Sequence, residues 1–348
     1  MKKVLFIQNK ILHYRIALYN ELAKHYDITV LHSGQKTITD MDSYKEIQTK
    51  TINFGTFKFQ SSVISEVKKD KYDVIISMFD LHWINNILAM YLHKKKTKFI
   101  WWGTWLTGNK IADRIKLFLT NHEYSSIFYN QEAKESFIRL GVDEKKLFVA
   151  NNTFDVGERI KCYEFNTKNN ILFVGSLDKR KQLDILINAF FNIADKLPNF
   201  INLIIIGDGE ERDELQKLVK KIKLEDRIIF AGKITENNKL IEFYKQAIVS
   251  VSYGQAGLTV LQSLGFGVPF ITKINAISGG EKTNIKHGEN GLFCDDDIHS
   301  LEENLLKVCT NINYAKLLGR NAYNYYSEFC TIENMAKGFI NAIETRIK

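Results

Sequence analysis

The sequence predicts an α/β protein made of two doubly wound, mostly parallel sheets, and three observations lead there. Short apolar runs alternate with segments of helical periodicity along nearly the whole chain. The runs fall into two sets, separated by an Asn- and Lys-rich stretch from Asn151 to Asn170 that reads as a linker. With 348 residues, 45% of them hydrophobic and 25% charged, the chain is long enough to bury two sizeable cores.

In the first set, Val4 to Gln8, Ile28 to His32, Val74 to Ser77, Lys98 to Trp102, Ser126 to Tyr129 and Leu147 to Val149 read as strands. Between them, Ala17 to His25 and Trp83 to His93 carry helical spacing. Strand, helix, strand in this rhythm implies right-handed crossovers and parallel pairing. The second set reads Ile171 to Val174, Ile201 to Ile206, Ile228 to Phe230, Ile248 to Ser252 and Pro269 to Thr272, and a last helix is expected from about Ile332 to Ile347. The apolar run after Met1 is too short for a signal segment, and no run approaches the ~20 residues that cross a bilayer. A cytoplasmic protein is expected, free or peripheral on the inner face of the cell membrane. Cys162, Cys294, Cys309 and Cys330 lack disulfide or zinc spacing and read as reduced packing residues.

The most informative stretch is Val249 to Ile271, VSVSYGQAGLTVLQSLGFGVPFI: strand, Gly-rich turn, short helix, strand. The turn from Gly254 to Gly257 can bring bare backbone N–H groups against a ligand, and a helix opening near Leu258 points its positive end the same way. Upstream, the strand ending at Gly175 is followed by Arg180 and Lys181. A phosphate cradle and a pair of cations on one α/β domain suggest a diphosphate. Gly207-Asp208-Gly209 lies near a nucleotide base or simply makes a strand-to-helix turn.

In order and spacing, FVGSLDKRKQLDILINAF, LIIIGDGEERDELQKL, IIFAGKI and SYGQAGLTVLQSLGFGVPFI resemble the donor half of glycosyltransferase family 4, enzymes of the two-Rossmann GT-B fold. IQNKILHYRIALYNELAKHYDITVLHSG, FIWWGTW and LFVANNTFD resemble a branch common in bacterial surface-polysaccharide synthesis. The resemblance implies two Rossmann-like domains facing a central cleft: residues 1–155 on the acceptor side, 156–328 on the donor side, and 329–348 as a helix packing back on the first. It also implies a retaining transferase moving a sugar from a nucleoside diphosphate to a hydroxyl of a lipid-linked glycan. On this reading Gly175, Arg180, Lys181, Gly257, Leu258 and Thr259 hold the diphosphate. The family usually has two Glu eight positions apart, where this chain has Gly254 and Gln262. An amide at Gln262 can still serve ribose hydroxyls. Gly254 offers only backbone, so sugar recognition shifts elsewhere, to Glu281 unless that is an ordinary exposed carboxylate. Related proteins often carry a His where WWGTW has Thr104. Asp80 and His82 in SMFDLHW, and His13, Tyr14 and Arg15 after the first strand, are the further candidates to orient or deprotonate an acceptor. Loss of transfer with retained nucleotide-sugar binding, or epimerisation or hydrolysis of the donor, are the rival readings.

No resident cofactor and no metal are expected. Asp295-Asp296-Asp297 fits a D-x-D metal pattern but precedes an amphipathic helix that it would cap. VLFIQNK is not followed by G-x-G-x-x-G, which argues against a nicotinamide dehydrogenase. Residues 1–155 hold 23 Lys+Arg against 16 Asp+Glu, a net +7, while the remainder holds 25 against 24, a net +1. A basic first half fits an anionic membrane or lipid diphosphate, through Lys94, Lys95, Lys96, Lys98 and the Arg114 to Phe118 stretch. Nucleic acid is not expected, since no recognised module for it accompanies the charge.

Overall fold

The structure, a computed structural model, describes residues 1–121 and 125–345. The chain divides into one unit of Met1–Asn152 with the C-terminal stretch from Ile332, and a second of Thr153–Thr331. Along the first unit run β1 (Lys3–Ile7), α1 (Ile16–Ala23), β2 (Asp27–His32), β3 (Lys45–Gln48), β4 (Thr51–Phe54), β5 (Phe57–Gln60), α2 (Val63–Lys68), β6 (Val74–Met78), α3 (Ile84–Leu92), β7 (Lys98–Trp102), α4 (Lys110–Asn121), β8 (Ser125–Phe128), α5 (Gln131–Arg139) and β9 (Leu147–Val149). Seven strands form a parallel sheet in the order β3-β2-β1-β6-β7-β8-β9, and β4 and β5 form a separate antiparallel hairpin. The strand order reverses between β1 and β6, where Val4 lies opposite both Ile28 and Val74.

The second unit carries β10 (Asn170–Val174), α6 (Leu183–Ile193), β11 (Asn202–Ile206), α7 (Arg212–Lys221), β12 (Ile228–Gly232), α8 (Asn237–Gln246), β13 (Ala247–Val251), α9 (Thr259–Gly265), β14 (Phe270–Lys273), β15 (Gly291–Cys294), α10 (Ile298–Thr310) and α11 (Ile312–Phe329). Its parallel sheet runs β12-β11-β10-β13-β14-β15, with the reversal between β10 and β13. Helices on both faces bury the central strands β10, β13 and β14 completely, which is why runs such as ILFV are apolar at every position rather than alternating. The four cysteines are buried and unpaired by disulfides, and burial raises the Cys309 thiol to about 12.

The last helix, α12 (Ile332–Glu344), packs against α1, β8 and β9 of the first unit, as expected. Met335, Phe339 and Ile343 join the core that holds Val4 and Phe6. Gly338 lets the helix lie against the sheet edge, for a Cβ there would sit 2.3 Å from the Val149 carbonyl oxygen. Residues 346–348 of the expected helix lie outside the described residues.

Two expectations are corrected. The Asn151 to Asn170 stretch is not a free linker: Val156 and Cys162 are buried in the second unit's core, and the Lys168 ammonium donates to the Lys245 and Ala247 carbonyls at 2.9 Å each. Lys98 is not a free surface cation either. Its half-buried ammonium donates to the Ala342 and Thr345 carbonyls at the end of α12, and burial brings its pKa down to about 8. Among the described residues no helix is long and apolar enough to cross a membrane.

Candidate functional site

The ends of β10, β13 and β14 lead into loops that lace together where the strand order reverses. The Gly254 N–H donates to the Lys181 carbonyl at 3.1 Å, the Ile277 N–H to Gly254 at 3.0 Å, and the Ala256 N–H back to Ile277 at 2.9 Å. Gly254 is demanded by this lacing. A Cβ there would stand 2.3 Å from the Arg180 carbonyl oxygen and 2.7 Å from Gln182 Cγ. The departure from a Glu at this position therefore has a steric cause, with Gln182, held at φ 51°, filling the space a longer side chain would need. Gln182 Oε1 is buried and has no hydrogen-bond partner among the described residues.

The two expected cations differ in state. Lys181 is 7% exposed, its stem passes over Gly175, and its ammonium lies 3.5 Å from the Gln255 carbonyl oxygen. Burial lowers its pKa; Asp178 and Glu281 pull the other way. Arg180 is exposed and grips Asp178 twice, Nε to Oδ1 at 3.1 Å and Nη2 to Oδ2 at 2.9 Å. That grip and the Ser176 hydroxyl bring the Asp178 carboxyl down to about 2 despite opposing desolvation. A diphosphate would meet Lys181 as a desolvated donor and would compete with Asp178 for Arg180.

Beside Lys181, the Gly254 to Gly257 turn runs into α9. Val260 and Gln262 N–H groups bond back to Gly257 and Leu258, so the N–H groups of Gly257, Leu258 and Thr259 have no intrahelical partner. Thr259 Oγ1 is buried with no partner among the described residues. Glu281 is buried rather than exposed, which corrects one of the two sequence readings; it accepts from the Gly279 N–H at 2.9 Å and the Ser278 hydroxyl at 3.2 Å. Gln262 is 4% exposed, and its Oε1 accepts from the fully buried Tyr244 hydroxyl at 3.3 Å, so half of its amide is already engaged. Gly207 serves packing: a Cβ would overlap the Gly175 carbonyl oxygen at 1.7 Å, while Leu177 N–H donates to Asp208.

At the strand ends of the first unit, His82 Nδ1 and Asp80 Oδ1 lie 2.8 Å apart in an exposed pair. Thr104 is 1% exposed and its buried hydroxyl has no partner among the described residues, so it does not present itself to solvent. Trp83, Trp101 and Trp102 are core; Trp105 alone of the four tryptophans is exposed. Lys116, expected within the Arg114 to Phe118 stretch as a membrane contact, is instead buried beneath it, donating to the Trp105 carbonyl at 2.8 Å under the indole ring. Burial lowers its pKa against the charges of Asp113 and Asp80. Its helical spacing to buried Leu119 and Thr120 was the available signal. His13 and Tyr14 follow β1, whereas Arg15 is buried among the Tyr14, Trp102 and Tyr129 rings, with Nη1 3.2 Å from Met335 Sδ of α12.

In the second unit's aspartate run, Asp297 caps α10 by accepting from the His299 N–H at 3.2 Å, and Asp296 pairs with Lys273 at 2.8 Å. Both carboxylates have structural partners. Among the described residues no group of three potential metal ligands occurs.

Residues 158–325 match the family of glycosyl transferases group 1. The full chain superposes on the crystal structure of Anabaena HepE in complex with UDP and glucose with a TM-score of 0.73 at 16% identity, covering 99% of each chain. The chain has the GT-B fold. Sequence relatives extend along most of it: an uncharacterized glycosyltransferase of Haemophilus influenzae is 25% identical over 318 residues, covering 87% of this chain and 86% of the relative. A GalNAc-alpha-(1->4)-GalNAc-alpha-(1->3)-diNAcBac-PP-undecaprenol alpha-1,4-N-acetyl-D-galactosaminyltransferase of Campylobacter jejuni is 25% identical over 343 residues, covering 90% and 89%. The matched stretch 158–325 contains every donor-side candidate from Gly175 to Glu281.

Proposed function

We propose that this chain is a retaining, metal-independent glycosyltransferase of family 4 type, which moves a sugar from a nucleoside diphosphate to a hydroxyl of a lipid-linked surface glycan. The observation that carries this reading is the meeting, at the β10/β13 reversal, of a buried Lys181 with the bare N–H groups of Gly257, Leu258 and Thr259. Open α/β sheets bind ligands at such reversals. A cation and preformed donors there stabilise the charge growing on a nucleoside diphosphate as the glycosidic bond breaks. The relatives named for UDP complexes and for a polyprenol-linked acceptor support the donor and acceptor classes. The acceptor is assigned to the first unit, with the Asp80–His82 pair as the group that orients or deprotonates its hydroxyl. No resident cofactor takes part, and the enzyme works on the inner face of the cell membrane.

Gly254 favours a second reading, nucleotide-sugar binding without transfer, because no side chain at that position can touch the sugar. Turnover of a nucleoside diphosphate sugar with and without a lipid-linked acceptor separates the two. Acceptor-dependent release of nucleoside diphosphate supports transfer. Binding without release supports the second reading, and acceptor-independent release indicates hydrolysis.

A further inference from the structure

The first unit carries an apolar surface that its own core does not use. The β4–β5 hairpin, invisible in the sequence as a strand pair, turns at Gly55 and leaves Phe54 61% and Phe57 48% exposed on either side of the turn. On α3, Ile84, Leu88 and Tyr91 lie at helical spacing on the side opposite buried Ala89 and Met90, and are exposed. On α4, Ile111, Ile115 and Phe118 repeat the pattern, with Ile111 74% and Phe118 56% exposed, on the side away from buried Lys116 and Thr120.

These three elements share one side of the unit. The hairpin is tied to the start of α3, for the Lys58 N–H donates to the His82 carbonyl at 2.7 Å and Gln60 N–H to Asn85 Oδ1 at 3.0 Å. Leu119 of α4 and Ala89 and Met90 of α3 belong to one core, so both helices cover the same face of the sheet. Successive right-handed crossovers β6-α3-β7-α4-β8 require this.

The same segment concentrates the charge. Residues 50–121 hold 12 Lys+Arg against 5 Asp+Glu, a net +7. Lys58, Lys95, Lys110 and Arg114 are exposed and stand on or beside the apolar stripes. Lys94 and Lys96 are less available, since both pair with Asp70. Aromatic and aliphatic side chains on an outward face, interleaved with cations, match a bilayer whose headgroups are anionic: the apolar groups enter the interface and the cations meet phosphates.

We infer that the β4–β5 hairpin and the outer faces of α3 and α4 form a docking surface for an anionic lipid bilayer. This rests on the membrane part of the proposed function and not on its donor chemistry, so vesicle binding and nucleotide binding are measured separately. The full chain is sedimented with vesicles of phosphatidylglycerol and phosphatidylcholine, and with phosphatidylcholine alone. Binding to the anionic vesicles only, weakened by salt, is the expected result. Phe54→Ser/Phe57→Ser/Phe118→Ser should lower partitioning at least tenfold, and Lys58→Gln/Lys95→Gln/Lys110→Gln/Arg114→Gln should abolish the preference for anionic lipid. Both variants should melt as the parent does and titrate with UDP as the parent does, since every changed side chain is exposed and belongs to the first unit. Equal sedimentation of parent and both variants overturns the inference, as does a parent that ignores vesicles. A parent that runs as a dimer and becomes monomeric in the aromatic variant also overturns it, by assigning the face to a second copy of this chain. A failure of UDP binding in the parent would instead count against the donor reading and leave the vesicle result standing.

Discussion

Replacing Lys181 by Met isolates the buried cation of the proposed donor site. The side chain is 7% exposed, and among the described residues its ammonium has the Gln255 carbonyl at 3.5 Å as its one hydrogen-bond partner. Met fills nearly the same volume without a charge, so nothing buried is left unpaired and the melting temperature should hold or rise. A hydrogen bond from an ionised donor contributes about 1.5–3 kcal/mol, which converts to a loss of about tenfold to 150-fold in affinity for a nucleoside diphosphate. Arg180→Ala should lose less, because Arg180 is exposed and must leave its bidentate grip on Asp178 to serve the ligand. The pH dependence has a definite sign. Burial lowers the Lys181 pKa in the free protein, and a bound diphosphate would raise it again, so binding should take up protons on the alkaline side and weaken as pH rises. Titration calorimetry in two buffers of different ionisation enthalpy reads both the affinity and the proton uptake. A Lys181→Met protein that is folded and binds UDP like the parent would refute the placement of the diphosphate at the β10/β13 reversal.

Gly254→Ala places a Cβ against the Arg180 carbonyl and should destabilise by about 1–3 kcal/mol in denaturant unfolding, with Gly254→Glu worse. Asp297→Ala removes the cap of α10 and should lower stability by about 1 kcal/mol, while transfer persists in excess chelator; activity lost to chelator and restored by a divalent cation would return the aspartates to metal binding. Glu66 is buried, and although desolvation opposes it, hydrogen bonds from Lys69, Lys71 and Tyr72 bring its pKa down to about 2 from 4.5. Its stabilisation should be complete above about pH 4.5 and vanish as pH falls through about 2. Glu66→Gln should therefore cost at most about 3 kcal/mol at neutral pH, the lysines being half exposed, and should flatten the acid limb of the melting curve.

Both sheets could be read from the sequence because their central strands are buried on both faces and stay apolar at every position, as in VLFI and ILFV. The strands that escaped lack that signature. β3 and the hairpin strands are mostly exposed, with polar residues between Ile52, Phe54 and Phe57, and β15 is four residues long behind a polar turn. The loops of the candidate site stood out in the sequence as a Gly-rich turn and paired cations, and the structure brings them together. Which cation is buried was not legible, since it depends on the carbonyls of a loop seventy residues away, and composition carries no trace of that distance. Lys98 misled for the same reason: a lysine in a basic run looks solvated until a helix end arrives from the other terminus.

The missing carboxylate at Gly254 makes sense only as part of a coupled set. The Gly254 N–H bonds to the Lys181 carbonyl, the Arg180 carbonyl occupies the space of a Cβ, and the Gln182 side chain fills what lies beyond. The loop that carries the cations thus occupies the space a side chain at 254 would need, and a Glu there would require the loop to give way. The negative charge has not left the neighbourhood. Glu281, buried in the exit loop of β14, acts electrostatically on Lys181, and Ile277 of the same loop is hydrogen-bonded to Gly254 and Ala256. On the proposed reading, a site with no acid at 254 but one at 281 on the next loop would meet a sugar hydroxyl from a different direction, so turnover measured across several nucleoside diphosphate sugars separates altered sugar preference from loss of transfer.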